Sequence, residues 1–184
     1  MSVAECRCSS LDDRIVIPMG DHDEVFQTLD RISERGSPWW WLSAYSCRVC
    51  GQSWLVAAEE RMNDIFIMGK IDVQAKECIL QENIWPGKLE RYAELLEMGK
   101  ASGRRATYLD PLNSSALVWT AADLAREQPG ISVARLATLL DLDLTIADSI
   151  ARKTVSEFPV SITFDVRSKP EIGFWSRLTG LWKQ

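Results

Sequence analysis

The sequence predicts an α+β chain: a small antiparallel three-stranded sheet with packed helices, then a helical, helix-turn-helix-like part with one or two short strands. Three observations carry this. The turn Cys47-Arg-Val-Cys50-Gly51 lies between two runs in which apolar and polar residues alternate. A third apolar run, Ile65-Phe-Ile-Met68, follows the turn residues Met62-Asn-Asp64. From Asp72 onward, capping residues, helical spacing and Pro/Gly breaks recur in close order.

Taken in order, Asp21 or Asp23 can cap a helix to about Arg35, with Phe26, Leu29 and Ile32 on one face and Gly36-Ser-Pro38 ending it. Trp39 to Ser46 and Ser53 to Ala58 then alternate as paired strands. With the run at 65–68 they make residues 39–71 a meander whose tip is the cysteine turn, a zinc-ribbon-like shape. Asp72 caps a helix to about Gln81, and Trp85-Pro86-Gly87 breaks the chain before a second, Leu89 to Met98, closed by Gly99. Ala101 to Leu109, with Ser102-Gly-Arg-Arg105, reads as a loop. It divides the chain into residues 1–109, the ribbon-like sheet with flanking helices, and 110–184, a helical, winged-helix-like part. In that second part Ser114 or Ser115 starts a helix to Glu127, Ser132 caps Val133 to Leu140, and Thr145 caps a helix to about Glu157. Val160 to Val166 alternates as a strand, and Ile172, Trp175, Leu178 and Trp182 fit a short amphipathic helix docked on the chain's own core.

The chain has 184 residues, 46% of them apolar, enough for a core that needs no disulfide. Five cysteines include an odd one, no apolar run reaches the length of about 18 residues that a membrane span needs, and no basic segment leads into an apolar one at the N-terminus. The expected location is a reducing cytoplasm, where clustered cysteines hold metal or stay free. Net charge is -5, and residues 1–38 carry most of it, with eight acidic side chains against four arginines. Such a chain repels phosphate backbones and favours a basic protein as partner.

Cys6, Cys8, Cys47 and Cys50 read as a four-thiolate structural zinc site, because two thiolates from one tight turn can meet a tetrahedral ion and Gly51 lets the chain fold back beneath it. A set with Cys47, Cys50 and His22, the only histidine, is the alternative. Redox use is disfavoured, since the pair sits between strands and does not open a helix. Cys78, beside Ile79, reads as a buried small hydrophobe. Four thiolates leave no open coordination position, a single histidine removes the usual nucleophile triads, and no glycine-rich phosphate loop is present, so no enzyme is expected. The neighbours Glu59 and Glu60 point to opposite faces of a strand and read as a solvated hairpin end. Of the eight tryptophans, Trp39, Trp40 and Trp41 in succession must put one indole on the outer face of the hairpin, under a helix or against a partner. The segment Ser132 to Ile150 has the pattern of a helix-turn-helix. Its second helix leads with Asp143 and Asp148, however, and residues 111–184 balance at eight acids to eight bases, which points to packing or protein contact and counts against nucleic acid as a partner.

The run from Trp41 to Asp64 with its Cys47-Arg-Val-Cys50-Gly51-Gln52-Ser-Trp54-Leu-Val core, followed by Trp85-Pro86 and Tyr92-Ala-Glu-Leu95-Leu96, resembles bacterial immunity proteins of contact-dependent growth inhibition over residues 39–99. The resemblance implies a cytoplasmic inhibitor that occludes the toxic domain of an incoming effector, with no catalytic residues. Under that reading the toxin domain is basic, of nuclease type. Asp12, Asp13, Asp21, Asp23 and Glu24 are the expected contact carboxylates, with Trp39 as aromatic anchor. The competing expectation is a transcription regulator with a zinc ribbon and a winged helix.

Overall fold

A computed structural model describes residues 5–103 and 108–164. It is α+β, built on one antiparallel sheet whose strands run in the order β1 (Arg14–Pro18), β5 (Ile65–Ile71), β4 (Ser53–Glu59), β3 (Leu42–Cys47), β2 (Leu29–Glu34). The meander expected over residues 39–71 forms its three inner strands, with Tyr45 opposite Trp54 and Leu55 opposite Gly69. Two further strands widen it to five, so the sheet is larger than a three-stranded ribbon.

Both additions correct the sequence reading. The helix that starts at Asp23 lasts one turn, α1 (Asp23–Phe26), and the stretch expected to continue it is β2. Leu29 and Ile32 stand three apart, which suggested a helix face. In a strand an odd separation sends them to opposite faces, and here Leu29 joins the apolar cluster beside the cysteines while Ile32 packs on the helix side. The ladder between β2 and β3, from Leu29 opposite Cys47 to Glu34 opposite Ser43, outweighs the weak local helix signal. At the other edge, Ile15-Val-Ile17 pairs with β5 and Pro18, which has no amide proton to give a neighbour, ends the strand. The inner strand β3 also begins later than expected. Trp39 to Trp41 lie in the turn that precedes it, where Leu42 N–H donates to the Trp39 carbonyl at 3.0 Å.

Alternation along β4 and β5 divides the core in two. Leu55, Ala57, Ile65, Ile67 and Ile71 face the helices, while Trp54, Val56 and Met68 face the other way, under the N-terminal segment. The helical layer is α2 (Val73–Glu82), α3 (Tyr92–Ala101), α4 (Ser115–Glu127), α5 (Val133–Leu140) and α6 (Leu144–Glu157). Three of the caps read from the sequence hold: Asp72 accepts from Ala75 N at 2.7 Å, Ser114 from Leu117 N at 3.4 Å and Ser132 from Arg135 N at 3.1 Å. Thr145 does not cap α6, which starts at Leu144 with Asp143 in the cap position and no side-chain cap bond. The second of these helices differs from expectation, starting at Tyr92 and passing through Gly99. That glycine lies against the Asn63 side chain, and a Cβ there would come within 2.5 Å of Asn63 Nδ2.

After α5, Asp141 takes a left-handed conformation (φ 55°) and Leu142 N–H donates to Ala137 O at 3.0 Å, which turns the chain into α6. The expected strand at 160–166 is β7 (Ile162–Thr163), paired in parallel with β6 (Ile131–Ser132); Asp165 and Val166 lie outside the described residues. So do Arg104 and Arg105 and the segment 172–182 expected as a helix. One apolar cluster runs from Trp41 through Tyr92, Leu95 and Leu124 to Leu136, Ile150 and Ile162. Among the described residues no helix is long and apolar enough to cross a membrane.

Candidate metal centre

The cysteine turn closes β3 onto β4. Cys47 N–H donates to the Gln52 carbonyl and Gly51 N–H to the Cys47 carbonyl, each at 2.9 Å, with Gly51 at φ +76°, where a side chain would be strained. Arg48 fixes the turn from outside: its N–H donates to Thr28 O at 3.0 Å, and its guanidinium pairs with Asp30 at 3.0 Å and with the Gln27 carbonyl. The first described residues are brought over this turn by separate contacts. Lys70 Nζ donates to Leu11 O at 2.7 Å and pairs with Asp13 at 3.3 Å, Lys70 N–H donates to Asp13 O at 2.9 Å, and Arg7 pairs with Glu24 at 2.6 Å.

These two segments deliver Cys6, Cys8, Cys47 and Cys50 to one point. Their sulfurs all lie within 4.8 Å of one another, with Cys6 to Cys50 at 3.3 Å and Cys6 to Cys47 at 3.6 Å. A tetrahedron of thiolates around an ion at 2.3 Å has edges of about 3.8 Å. The group is thus able to hold a metal ion, as the sequence suggested. His22 is no part of it; its ring packs against Phe26 and Phe66 and its Nδ1 bonds the Met19 carbonyl.

The cluster has an inner and an outer half. Cys8 (6% exposed) and Cys47 (2%) belong to the apolar cluster of Trp54, Ile17, Leu29, Val56 and Met68, whereas Cys50 is exposed and Cys6 half-buried. Burial pushes the Cys8 thiol up to about 12, opposed by the Trp54 indole. Burial acts on Cys47 too, but the Thr28 hydroxyl, 3.5 Å from its sulfur, and the amides of Cys50 and Val49 outweigh it and bring that thiol down to about 6. Trp54 is fully buried, and its Nε1 finds no partner in hydrogen-bond geometry among the described residues. The group it faces is the Cys8 sulfur, so a thiolate there, as a bound metal ion would keep it, would be the acceptor that this stranded donor lacks. Neither Thr28 nor Trp54 was singled out as part of the site from sequence. Trp54 stands in the alternation pattern on the same face as Cys47, which is the signal that could have found it.

The remaining candidates are placed as follows. Asp12, Asp13, Asp21, Asp23 and Glu24 are all exposed, on the segment that covers the sheet face opposite the helices. Trp39 is half-buried, with the Arg35 guanidinium 3.6 Å from its ring centre; Trp40 donates to Asp123 at 3.1 Å; Trp41 donates to Leu89 O at 2.9 Å and stacks on Tyr92. The most exposed of the described indoles is Trp119 on α4, at 50%. Cys78 is half-buried, less enclosed than expected. The larger correction concerns Glu59, read as part of a solvated hairpin end. It is fully buried, because its place in β4 continues the inward positions of Leu55 and Ala57. Comparison of the chain with protein-family models, curated proteins and solved structures gives no match.

Proposed function

We propose that the chain is a non-catalytic binding protein, fastened at one end by a structural zinc ion on Cys6, Cys8, Cys47 and Cys50. It works by occluding the active surface of a basic protein, as immunity proteins of contact-dependent growth inhibition neutralise a nuclease-type toxin domain. Zinc suits the donor set because four thiolates favour a soft, redox-silent tetrahedral ion. The observation that carries the binding role is the exposure of all five expected carboxylates on the segment that the centre anchors. Among the described residues, Asp12 and Asp21 have no cationic partner. Unneutralised carboxylates on an anchored surface attract a cationic cleft at long range and need little ordering on contact. Support against catalysis comes from the chemical groups themselves: the buried carboxyl of Glu59 is saturated by donors, the one imidazole packs edge-on to Phe26 and tilted against Phe66, and four thiols share one point.

The transcription-regulator reading is less well supported. The surface of α6 that a groove would meet offers Asp143, Leu144, Thr145 and Ser149, and Arg152 is paired with Asp148 at 2.8 Å. Co-purification from the native host separates the two. A basic protein, captured less well by Asp21→Lys/Asp23→Lys and released as salt rises, fits the inhibitor. Retention on duplex DNA or heparin at moderate salt, with no protein captured, would replace it with the regulator.

A further inference from the structure

Resting on the metal-centre reading, we propose that Cys6 and Cys50 are an oxidation site. A two-electron oxidant of the peroxide class joins their sulfurs in a disulfide, the ion leaves, and the N-terminal segment stays covalently fastened to the cysteine turn. The pairing follows from position. The two sulfurs are 3.3 Å apart on the outer side of the cluster, where Cys50 is exposed and Cys6 half-buried. Cys8 and Cys47 lie beneath them, closed off by Ile17, Leu29, Val56 and Met68, with Thr28 against the Cys47 sulfur. A small oxidant therefore meets the non-local pair before either local one. In the local Cys47–Cys50 pair, one sulfur is held inward by the turn that presents it.

The step balances. One outer sulfur attacks the peroxide oxygen and becomes a sulfenic acid with loss of hydroxide; the second displaces the sulfenic hydroxyl as the S–S bond forms. Each sulfur gives up one electron, the peroxide is reduced to two waters with protons from solvent, and the ion departs as Cys8 and Cys47 are protonated. The consequence depends on which bond forms. A Cys6–Cys8 or Cys47–Cys50 disulfide would release the segment, since neither links residue 6 to residue 50. A Cys6–Cys50 disulfide keeps the cross-link that the ion had supplied, so oxidation changes the clasp and preserves what it holds.

The test uses the full-length, zinc-loaded chain with Cys78→Ser, which removes the fifth thiol and leaves the cluster intact. It is treated with one equivalent of hydrogen peroxide, with released zinc read by a chromophoric chelator and links mapped on unreduced peptides. Expected are the loss of one ion per disulfide, Cys6–Cys50 as the main link, and absence of that link in Cys50→Ser. A Cys47–Cys50 or Cys6–Cys8 bond as the main product, or zinc loss without any disulfide, overturns the proposal. Protein that carries no zinc as purified refutes the metal reading separately, and the same mapping on that metal-free chain still decides which pair closes.

Discussion

Glu59 is a fully buried carboxyl group. Its oxygens accept from the Tyr92 hydroxyl at 2.9 Å and from the amides of Asn63 at 2.6 Å, Met62 at 3.0 Å and Arg61 at 3.2 Å, so it holds the turn between β4 and β5 and ties it to α3. Burial raises its carboxyl above the ordinary range, although Tyr92 and the three amides all pull the other way. Tyr92 is raised in turn by its own burial and by the carboxylate beside it. Removing the hydroxyl takes one of four donors from a buried charge, and Tyr92→Phe is expected to cost about 2 kcal/mol in denaturant unfolding. The pH dependence has a definite sign. A carboxyl whose folded value is raised binds its proton more readily in the folded chain, so its contribution is fully present below the unfolded value and is lost as pH rises through the folded one. Glu59→Gln cannot titrate. Stability of the natural chain minus that of this variant should therefore fall as pH rises from the acid side toward neutrality. A difference that stays flat, or rises, would mean that the four donors keep the side chain ionised throughout.

Between elements, α3 passes close to the β4–β5 turn at Gly99. Helix propensity alone favours alanine over glycine there by about 1 kcal/mol. Against this stands the Asn63 side chain, three of whose atoms a Cβ would meet at 2.5 to 2.9 Å, in a residue that is itself buried. Packing should decide, and Gly99→Ala is expected to destabilise by about 1–3 kcal/mol; a gain in melting temperature would show the turn to be softer than its hydrogen bonds suggest. The same contact explains why the helix runs past the end that the sequence predicts, since a glycine near a helix end reads as a stop unless the neighbour it admits is known. Elements defined by local chemistry were legible: Asp72, Ser114 and Ser132 as caps, the Cys47–Gly51 turn, and the paired alternation on either side of it. The two edge strands were not. Ile15-Val-Ile17 is too short to show a period, and residues 29–34 carry a helix-like spacing that only pairing with β3 overrides. At the centre, the four sulfurs could be read from their spacing, whereas Thr28 and Trp54 became visible only when β2 and β4 set them beside the cysteines.

Across the whole chain, one sheet separates two apolar clusters of unequal size, and they should respond differently to loss of the ion. The helix-side cluster draws on β3 to β5 and on α2 to α6 and contains most of the buried side chains. The opposite one has seven buried residues, Trp54 among them, two of which, Cys8 and Cys47, belong to the cysteine cluster, and its cover is the segment tied down there, by Lys70 and by the Arg7–Glu24 pair. A core that small depends on its clasp. Chelation is therefore expected to raise hydrogen exchange first in residues 5–13, the cysteine turn and residues 22–28, and to shift tryptophan emission to the red as Trp54 is hydrated. The helices α3 to α6 should stay protected until higher temperature. The released segment is also the one that carries Asp12, Asp13, Asp21, Asp23 and Glu24. Metal removal should accordingly weaken partner binding with every carboxylate still present, because charges on a loose segment lose their fixed arrangement and must be ordered on contact. If the helices unfold together with the segment, the ion supports the entire fold; if neither exchange nor emission changes, the four sulfurs are not held by a metal.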